Sequence, residues 1–175
     1  EITSTLPTHP TRKHQIHIAI APTKNMDRLE WFVEKSVEIG IDIITPLLCQ
    51  RSERRVLKTD RLHKLIISTM KQAMVTQLPV LNELTPFNHL VKTLDSTKGN
   101  RFIAHCGESP RQQLKKVLLP ESDTVVLIGP EGDFTPEEVQ LAVENGFMPV
   151  SLGSNRLRTE TAGIVACHIA VLQNI

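Results

Sequence analysis

Apolar and polar residues alternate along the chain with two different periods, and each period predicts one kind of element. Residues 15–22 alternate in the manner of a strand, while 41–48 and 124–129 are nearly continuous apolar runs. Continuous runs of this length are typical of strands that are covered on both faces, as in a parallel sheet. Six strands are predicted in all, and the other three are 79–84, 101–106 and 147–153.

Between the predicted strands, apolar residues recur at helical spacing. The first helix is expected to end at Gly40, where a glycine can take the left-handed conformation of a helix terminus. Its inner face is predicted to carry Leu29, Phe32, Val33, Ser36 and Val37. A second helix is predicted over 60–74, because apolar side chains again fall on one face there.

Prolines and capping residues indicate where the remaining helices begin. Pro86 suits the first position of a third helix, and Ser109–Pro110 suits the start of a fourth. The Thr-Pro-Glu-Glu pattern of 135–138 predicts a capping box with proline at the first helical position, and that helix is expected to close at Gly146. A last helix is predicted over 159–173.

Strands that alternate with helices through short loops predict an α/β domain with a mainly parallel six-stranded sheet flanked by helices. In such sheets ligands bind beyond the carboxyl ends of the strands. The segments of interest are therefore those that follow the strands, namely 52–55, 105–108, 129–134 and 153–160.

Composition narrows the class of protein without selecting a function. The 175 residues suit one domain, and a formal charge of +1 gives no support from bulk charge to a nucleic-acid partner. The cysteines Cys49, Cys106 and Cys167 are far apart in sequence, which favours buried thiols in a cytoplasmic protein. No spacing predicts a metal site, and no apolar run approaches the ~20 residues of a membrane helix, so neither a metal nor a membrane partner is expected.

Two glycine-containing turns carry the most suggestive chemistry. The segment IGPEGD lacks the lysine of a phosphate-binding P-loop, and no GxGxxG follows a strand, so a nucleoside triphosphate or NAD is not favoured. Together with SLGSNRL it could instead form a slot of backbone donors and acceptors for an adenine and a ribose. The alternative is that both are ordinary turns in which glycine serves backbone geometry.

Basic and imidazole side chains leave similar alternatives open. The basic cluster of Arg51, Arg54, Arg55 and Lys58 forms either a phosphate-contacting patch or a solvated loop. His105 stands at a strand end and is interpreted as non-catalytic, while Trp31 is expected to be a packing residue of the first helix.

Three segments carry a resemblance to a known family. RLEWFVEKSVEIGIDIITPLLCQRSE, LIGPEGDFTPEEV and LGSNRLRTETAGIVA occur in this order, and the chain from about Ile16 onwards resembles the RsmE family of the SPOUT (trefoil-knot) superfamily. The resemblance implies transfer of a methyl group from S-adenosylmethionine to N3 of a uridine in 16S rRNA of the small ribosomal subunit. It also implies a homodimer and a C-terminal trefoil knot.

The resemblance also implies which residues form the site. The cofactor pocket would comprise Ile128, Gly129, Pro130, Glu131, Gly132, Leu152, Gly153, Asn155, Leu157, Arg158, Thr159, Thr161 and Ala162. As a mechanistic hypothesis, Arg158 is expected to stabilise negative charge on the uracil or to hold a neighbouring phosphate, unless it only pairs with Glu160. Glu131 or Glu160 would accept the N3 proton, unless Glu131 only holds its turn.

The chain also departs from the family pattern. Gly132 is followed by Asp133 where relatives generally carry a second glycine, and the pattern around 71–75 keeps only Gln72. Residues 1–14 are interpreted as a linker or the remnant of an N-terminal PUA-like barrel, and 15–175 as the methyltransferase domain. Two other functions stay open: a non-catalytic RNA-binding assembly factor, and a SPOUT methyltransferase that acts on a different RNA position.

Overall fold

The computed structural model describes residues 13–94, 99–107 and 111–174, which form one sheet with helices on both of its faces. The strands are β1 (Ile16–Ile20), β2 (Ile43–Leu48), β3 (Val80–Leu81), β4 (Thr85–Pro86), β5 (Asn100–Ala104), β6 (Gln112–Gln113), β7 (Thr124–Ile128) and β8 (Met148–Ser151). The helices are α1 (Met26–Ile39), α2 (Asp60–Ala73), α3 (Phe87–Thr93), α4 (Leu114–Val117), α5 (Pro136–Glu144) and α6 (Thr159–Leu172).

The sheet runs in the order β3-β2-β1-β7-β5-β8-β6, with β4 paired to β2 off this path. Every strand pairing of the described residues is parallel. Because all strands run the same way, the carboxyl ends of β5, β7 and β8 lie side by side at one edge. The loops that follow these three strands therefore meet in space.

Alternation along the central strand divides the core into two layers. Ile16, Ile18 and Ile20 of β1 pack in a cluster with α1, α2 and α6, while Ala19 and Ala21 belong to a second cluster with α3 and α5. All of these side chains are fully buried. A strand covered on both faces needs side chains that can be buried at successive positions, which the isoleucines and the alanine of β1 provide, with His17 buried among them.

The predicted α/β class and mainly parallel sheet are confirmed, but the predicted strand number of six is too low. The described residues form eight strands, because β4 and β6 have only two residues each and show no periodicity. Pro86 is the residue before α3 rather than its first residue, and it pairs with β2 through β4. The expected helix start at Ser109–Pro110 lies outside the described residues.

Predicted helix signals agree with the structure at several termini. Gly40 ends α1 with a φ of 104°, and the five predicted inner residues of α1 are its buried ones. The capping box of Thr135 and Glu138 is present, with Pro136 as the first residue of α5. Gly146 follows that helix with a φ of 82°. These signals act locally, so sequence alone could identify them.

Two packing predictions are wrong. Cys106 is exposed, because it lies in the loop after β5 instead of in the core, whereas Cys49 and Cys167 are buried as expected. Trp31 is 46% exposed, because it stands on the outer side of α1. No helix in the described part of the chain is long and apolar enough to cross a membrane.

Candidate functional site

A cleft of about 590 Å³ lies where the carboxyl ends of β5, β7 and β8 meet the start of α6. Its lining comes from the three loops after these strands, from the first turn of α6 and from Arg28 of α1. The volume lies within the range of about 300–1,000 Å³ typical of small-molecule sites. The topology of the sheet thus forms a ligand-sized cavity from segments far apart in sequence.

The turn after β7 forms one wall and depends on glycine at its first position. A Cβ atom at Gly129 would lie 3.0 Å from the Phe134 ring, so a larger residue would displace that ring. The Gly129 carbonyl accepts a hydrogen bond of 3.1 Å from the Thr159 hydroxyl, which ties this turn to the start of α6. Glu131 is exposed and its Oε1 accepts a hydrogen bond of 2.9 Å from the backbone N–H of Lys24.

The loop after β8 forms the opposite wall and offers mostly backbone. Gly153 has a φ of 154°, and a Cβ atom there would have no heavy atom within 4 Å. Its open surroundings leave room for a ligand to approach the main chain closely. Leu152 and Leu157 are half-buried beside it and add apolar surface. A flat ring held between such surfaces would meet backbone donors and acceptors at its edge.

The segment after β5 forms the third wall, with an imidazole at its base. His105 is buried, and its Nδ1 accepts a hydrogen bond of 3.1 Å from the Gly107 N–H, which leaves the proton of a neutral ring on Nε2. Burial lowers the pKa of His105, the Arg111 guanidinium lowers it further, and Asp133 opposes both. His105 therefore lines the cleft with a ring that favours the neutral form.

Asp133 connects two of these walls. Its Oδ2 accepts a hydrogen bond of 2.8 Å from the Cys106 N–H, and its Oδ1 accepts one of 2.9 Å from the Phe134 N–H. Asp133 has a φ of 64°, a conformation that favours glycine, and these two hydrogen bonds help to hold it. The aspartate that departs from the family pattern therefore links the turn after β7 to the loop after β5.

The predicted cofactor residues are brought together, apart from two. All of them line the cleft except Gly132, whose carbonyl accepts a hydrogen bond from Arg51, and Thr161, which lies one residue before Ala162 on α6. Of the predicted catalytic residues, Arg158 and Glu131 line the cleft. Glu160 is 4% exposed and lies beneath the cleft, with Oε1 at 3.8 Å from Nε of Arg28.

The three predicted RNA-binding arginines lie beside the cleft and bind backbone carbonyls. Arg51 donates to the carbonyls of Gly132 and Phe134, and Arg54 donates to those of Thr23 and Lys24. Arg55 donates to the carbonyl of Gln50 in its own loop. Arg51 thus fixes the 49–55 segment against the turn after β7, and Arg54 fixes it against the segment after β1. This is a structural role in addition to any contact with RNA.

Sequence reasoning did not select several residues that line the cleft. They are Arg28, Ala104, Arg111, Val150 and Ser151, while Cys106 and Ser154 lie inside the strand-end segments but were not singled out. Ala104 ends β5, and Val150 and Ser151 end β8, so extending the strand-end segments by a few residues would have found them and Arg111. Arg28 had no such signal, because it stands in the first turn of α1 and reads as an ordinary solvent-facing position. In the described ranges, no group of three or more His, Cys, Asp or Glu residues could hold a metal ion.

Comparison with known proteins places this chain in a family. The chain is 29% identical over 163 residues to ribosomal RNA small subunit methyltransferase E of Rickettsia conorii, covering 90% of this chain and 64% of that protein. A solved structure described as a probable rRNA-methyltransferase from Porphyromonas gingivalis is 42% identical, with a TM-score of 0.89, over 97% of this chain and 71% of that one.

A second solved structure includes a ligand. Ribosomal RNA small subunit methyltransferase E from Neisseria gonorrhoeae, bound to S-adenosyl methionine, is 28% identical with a TM-score of 0.80, covering 89% of this chain and 64% of that one. This chain thus spans about 64% of the length of the first curated relative that it matches. The family model for the RNA methyltransferase domain matches residues 10–171, and the chain belongs to that family.

Proposed function

We propose that the cleft binds S-adenosylmethionine and that the chain methylates N3 of a uridine in 16S rRNA. The observation that carries the proposal is the cleft itself, which is formed by the strand ends and the α6 start that the family motifs occupy. The open space at Gly153 leaves the main chain of the loop after β8 accessible to an adenosine group. When bound, S-adenosylmethionine supplies a methyl group that its sulfonium has already activated.

The chain's own residues have two tasks in this reaction. They must orient uracil N3 towards the methyl group, and they must accept the N3 proton. Since N3 lies on the base-pairing edge, the uridine has to be unpaired before it enters the cleft. Arg158 is exposed at the cleft and is our choice for stabilising the charge that develops on the uracil oxygens.

Glu131 is our first choice for the proton acceptor, and Glu160 is the second. Glu131 lines the cleft, and its hydrogen bond with the Lys24 N–H uses one carboxylate oxygen, so the other can face the base. Glu160 lies deeper, at 3.8 Å from Arg28. Glu131→Gln should therefore reduce turnover more than it reduces cofactor affinity.

Arg158→Ala tests the assignment of the charge-stabilising group. Purified small ribosomal subunits would be incubated with the chain and with cofactor that carries a deuterated methyl group, and labelled 3-methyluridine would be quantified by mass spectrometry. We expect the rate of methylation to fall by about a hundredfold or more, which is typical when a single charge-stabilising donor is removed. The matched control is Arg61→Ala, which removes an exposed arginine that pairs with Glu30 away from the cleft. Near-normal turnover of Arg158→Ala would refute this role.

The proposed RNA contacts extend from the cleft to the neighbouring basic segment. Each guanidinium has five N–H donors, and Arg51, Arg54 and Arg55 use only some of theirs on backbone carbonyls. The remaining donors would bind phosphates of the rRNA strand that enters the cleft. Their replacement by glutamine should weaken RNA binding at every sequence and make it less sensitive to salt.

A cytoplasmic homodimer with a knotted C-terminus completes the proposal. Large apolar side chains stay exposed on two helices that pack together, Trp31 on α1 and Leu172 on α6, and a second copy would cover such surface. Sedimentation equilibrium should give twice the 19.6 kDa of one chain. Tracing the chain through an electron-density map would show whether α6 passes through a loop formed by earlier residues.

A further inference from the structure

Arg28 reaches the cleft from outside the family's cofactor segments. It lies in the first turn of α1, after β1, and lines the cleft opposite the loops that follow the other strands. Its side chain is 41% exposed, so the guanidinium meets both protein and cleft. A guanidinium at this position can contact a molecule bound in the cleft.

A buried carboxylate holds this arginine. The Glu160 side chain is 6% exposed, and its Oε1 is 3.8 Å from Nε of Arg28, an ion-pair distance that is too long for a hydrogen bond. The other oxygen, Oε2, has no hydrogen-bond partner among the described residues. Burial of a carboxylate with so few contacts costs stability, which favours a functional role for Glu160.

The charges around the cleft indicate what the arginine would bind. Its lining contains four guanidinium groups and two carboxylates. The arginines are Arg28, Arg111, Arg156 and Arg158, and the acids are Glu131 and Asp133. The excess of positive charge favours an anionic group. Within the described ranges, only Arg28 among these four arginines forms an ion pair with a buried carboxylate.

We propose that Arg28 binds an anionic oxygen group in the cleft, and that buried Glu160 is a positioning residue that orients the Arg28 guanidinium for it. The inference rests on the proposed function, which offers two sources of such oxygens. One is the carboxylate of the amino-acid part of S-adenosylmethionine, and the other is a phosphate of the RNA. Planar guanidinium groups bind both carboxylates and phosphates through paired N–H donors.

Calorimetry with two cofactor-like ligands tests the first source. S-adenosylmethionine and 5′-methylthioadenosine, which lacks the amino-acid part, would be titrated into the parent chain and into Arg28→Gln. If Arg28 binds the carboxylate, Arg28→Gln should lower the affinity for S-adenosylmethionine by about tenfold or more, as expected for loss of a charged hydrogen bond. The affinity for 5′-methylthioadenosine should stay nearly unchanged. Arg28→Lys, which keeps the charge, should recover part of the loss.

Binding of labelled oligouridylate, measured by fluorescence anisotropy, tests the second source. If Arg28 binds a phosphate, Arg28→Gln should lower the affinity for oligouridylate and leave the affinities for both small ligands unchanged. The dependence of log affinity on log salt should then become shallower by about 0.7 for the lost contact. Unchanged affinity for all three ligands, or equal weakening of the two small ones, would overturn the proposal.

Glu160→Gln tests the positioning role. It should reproduce the selective loss of ligand affinity expected for Arg28→Gln. The double variant should bind ligand as well as Arg28→Gln alone, because the two residues act as one unit. Additive losses would exclude this role for Glu160. The control is Arg61→Gln, which removes the ion pair of exposed Arg61 on α2 with Glu30 on α1 and should change no ligand affinity.

The same measurements separate this inference from the proposed function. A parent chain that binds neither small ligand contradicts the proposed function, and the oligouridylate arm still decides whether Arg28 binds a phosphate. If the parent chain binds both small ligands and the variants bind all three ligands as well as the parent does, only the role of Arg28 is contradicted. Circular dichroism and urea unfolding of each variant would verify that it folds.

Discussion

The imidazole of His17 is buried in β1, with Nε2 at 2.7 Å from the Thr45 hydroxyl of β2. Burial lowers the pKa of His17 from 6.5 to about 4. Between these two values the unfolded chain binds a proton that the folded chain does not bind. Stability is therefore expected to fall as the pH drops from about 6.5 towards 4, by up to about 3 kcal/mol in free energy of unfolding.

His17→Asn should remove most of this pH dependence, because asparagine can keep a polar contact with Thr45 but does not titrate. Urea unfolding at several pH values between about 4 and 7.5 would measure the effect. His63→Gln, at an exposed position of α2, serves as the control and should keep the slope of the parent chain. An equally steep loss of stability in His17→Asn would show that other groups cause it.

Two residues illustrate what sequence could and could not indicate at this scale. Asp133 was identified from the sequence as a departure from a glycine pattern. Its hydrogen bond to the Cys106 N–H joins positions 27 residues apart, which no local pattern encodes. Arg28 was missed for the same reason, since its importance depends on Glu160, which lies far along the chain.

At the scale of elements, α6 packs on α1 and β1 through a glycine. A Cβ atom at Gly163 would lie 2.6 Å from the Phe32 ring and 2.9 Å from Cδ1 of Ile20, both in the buried core. Alanine would raise the helix propensity by about 1 kcal/mol, but overpacking of a core typically costs about 1–3 kcal/mol. We expect Gly163→Ala to lower the free energy of unfolding.

Urea unfolding of Gly163→Ala would measure this effect, and a second substitution would test its cause. Phe32→Leu should relieve the clash, so the double variant is expected to lose less stability than the sum of the two single variants. A more stable Gly163→Ala, or strictly additive losses, would mean that the helix does not approach the core as closely as the structure indicates.

The start of α5 supports the wall formed by the turn after β7. Glu138 accepts hydrogen bonds from the N–H groups of both Thr135 and Gln50, and Thr135 caps the helix. Thr135→Ala should cost about 1 kcal/mol of stability. Glu138→Ala should cost more, because the buried Thr135 N–H would lose its acceptor. Gln140→Ala, on an exposed face of α5, should stay within about 0.5 kcal/mol of the parent chain in urea unfolding.

At the scale of the whole molecule, periodicity predicted the class of fold but not its topology. Long elements with a regular apolar face, such as α1 and β7, were identified because burial imposes their pattern. The two-residue strands β4 and β6 leave too little sequence for any pattern. The strand order that places β8 beside β5, and so closes the cleft, depends on long-range pairing that no local pattern encodes.

Nucleoside mass spectrometry of small-subunit rRNA tests the proposed function most directly. The rRNA would be taken from cells that lack the gene for this chain, and from the same cells supplied with the parent gene or with Arg158→Ala. We expect 3-methyluridine to disappear in the deletion strain, to return with the parent gene and to stay absent with Arg158→Ala. Parental levels of 3-methyluridine in the deletion strain would contradict methylation of uridine N3 by this protein.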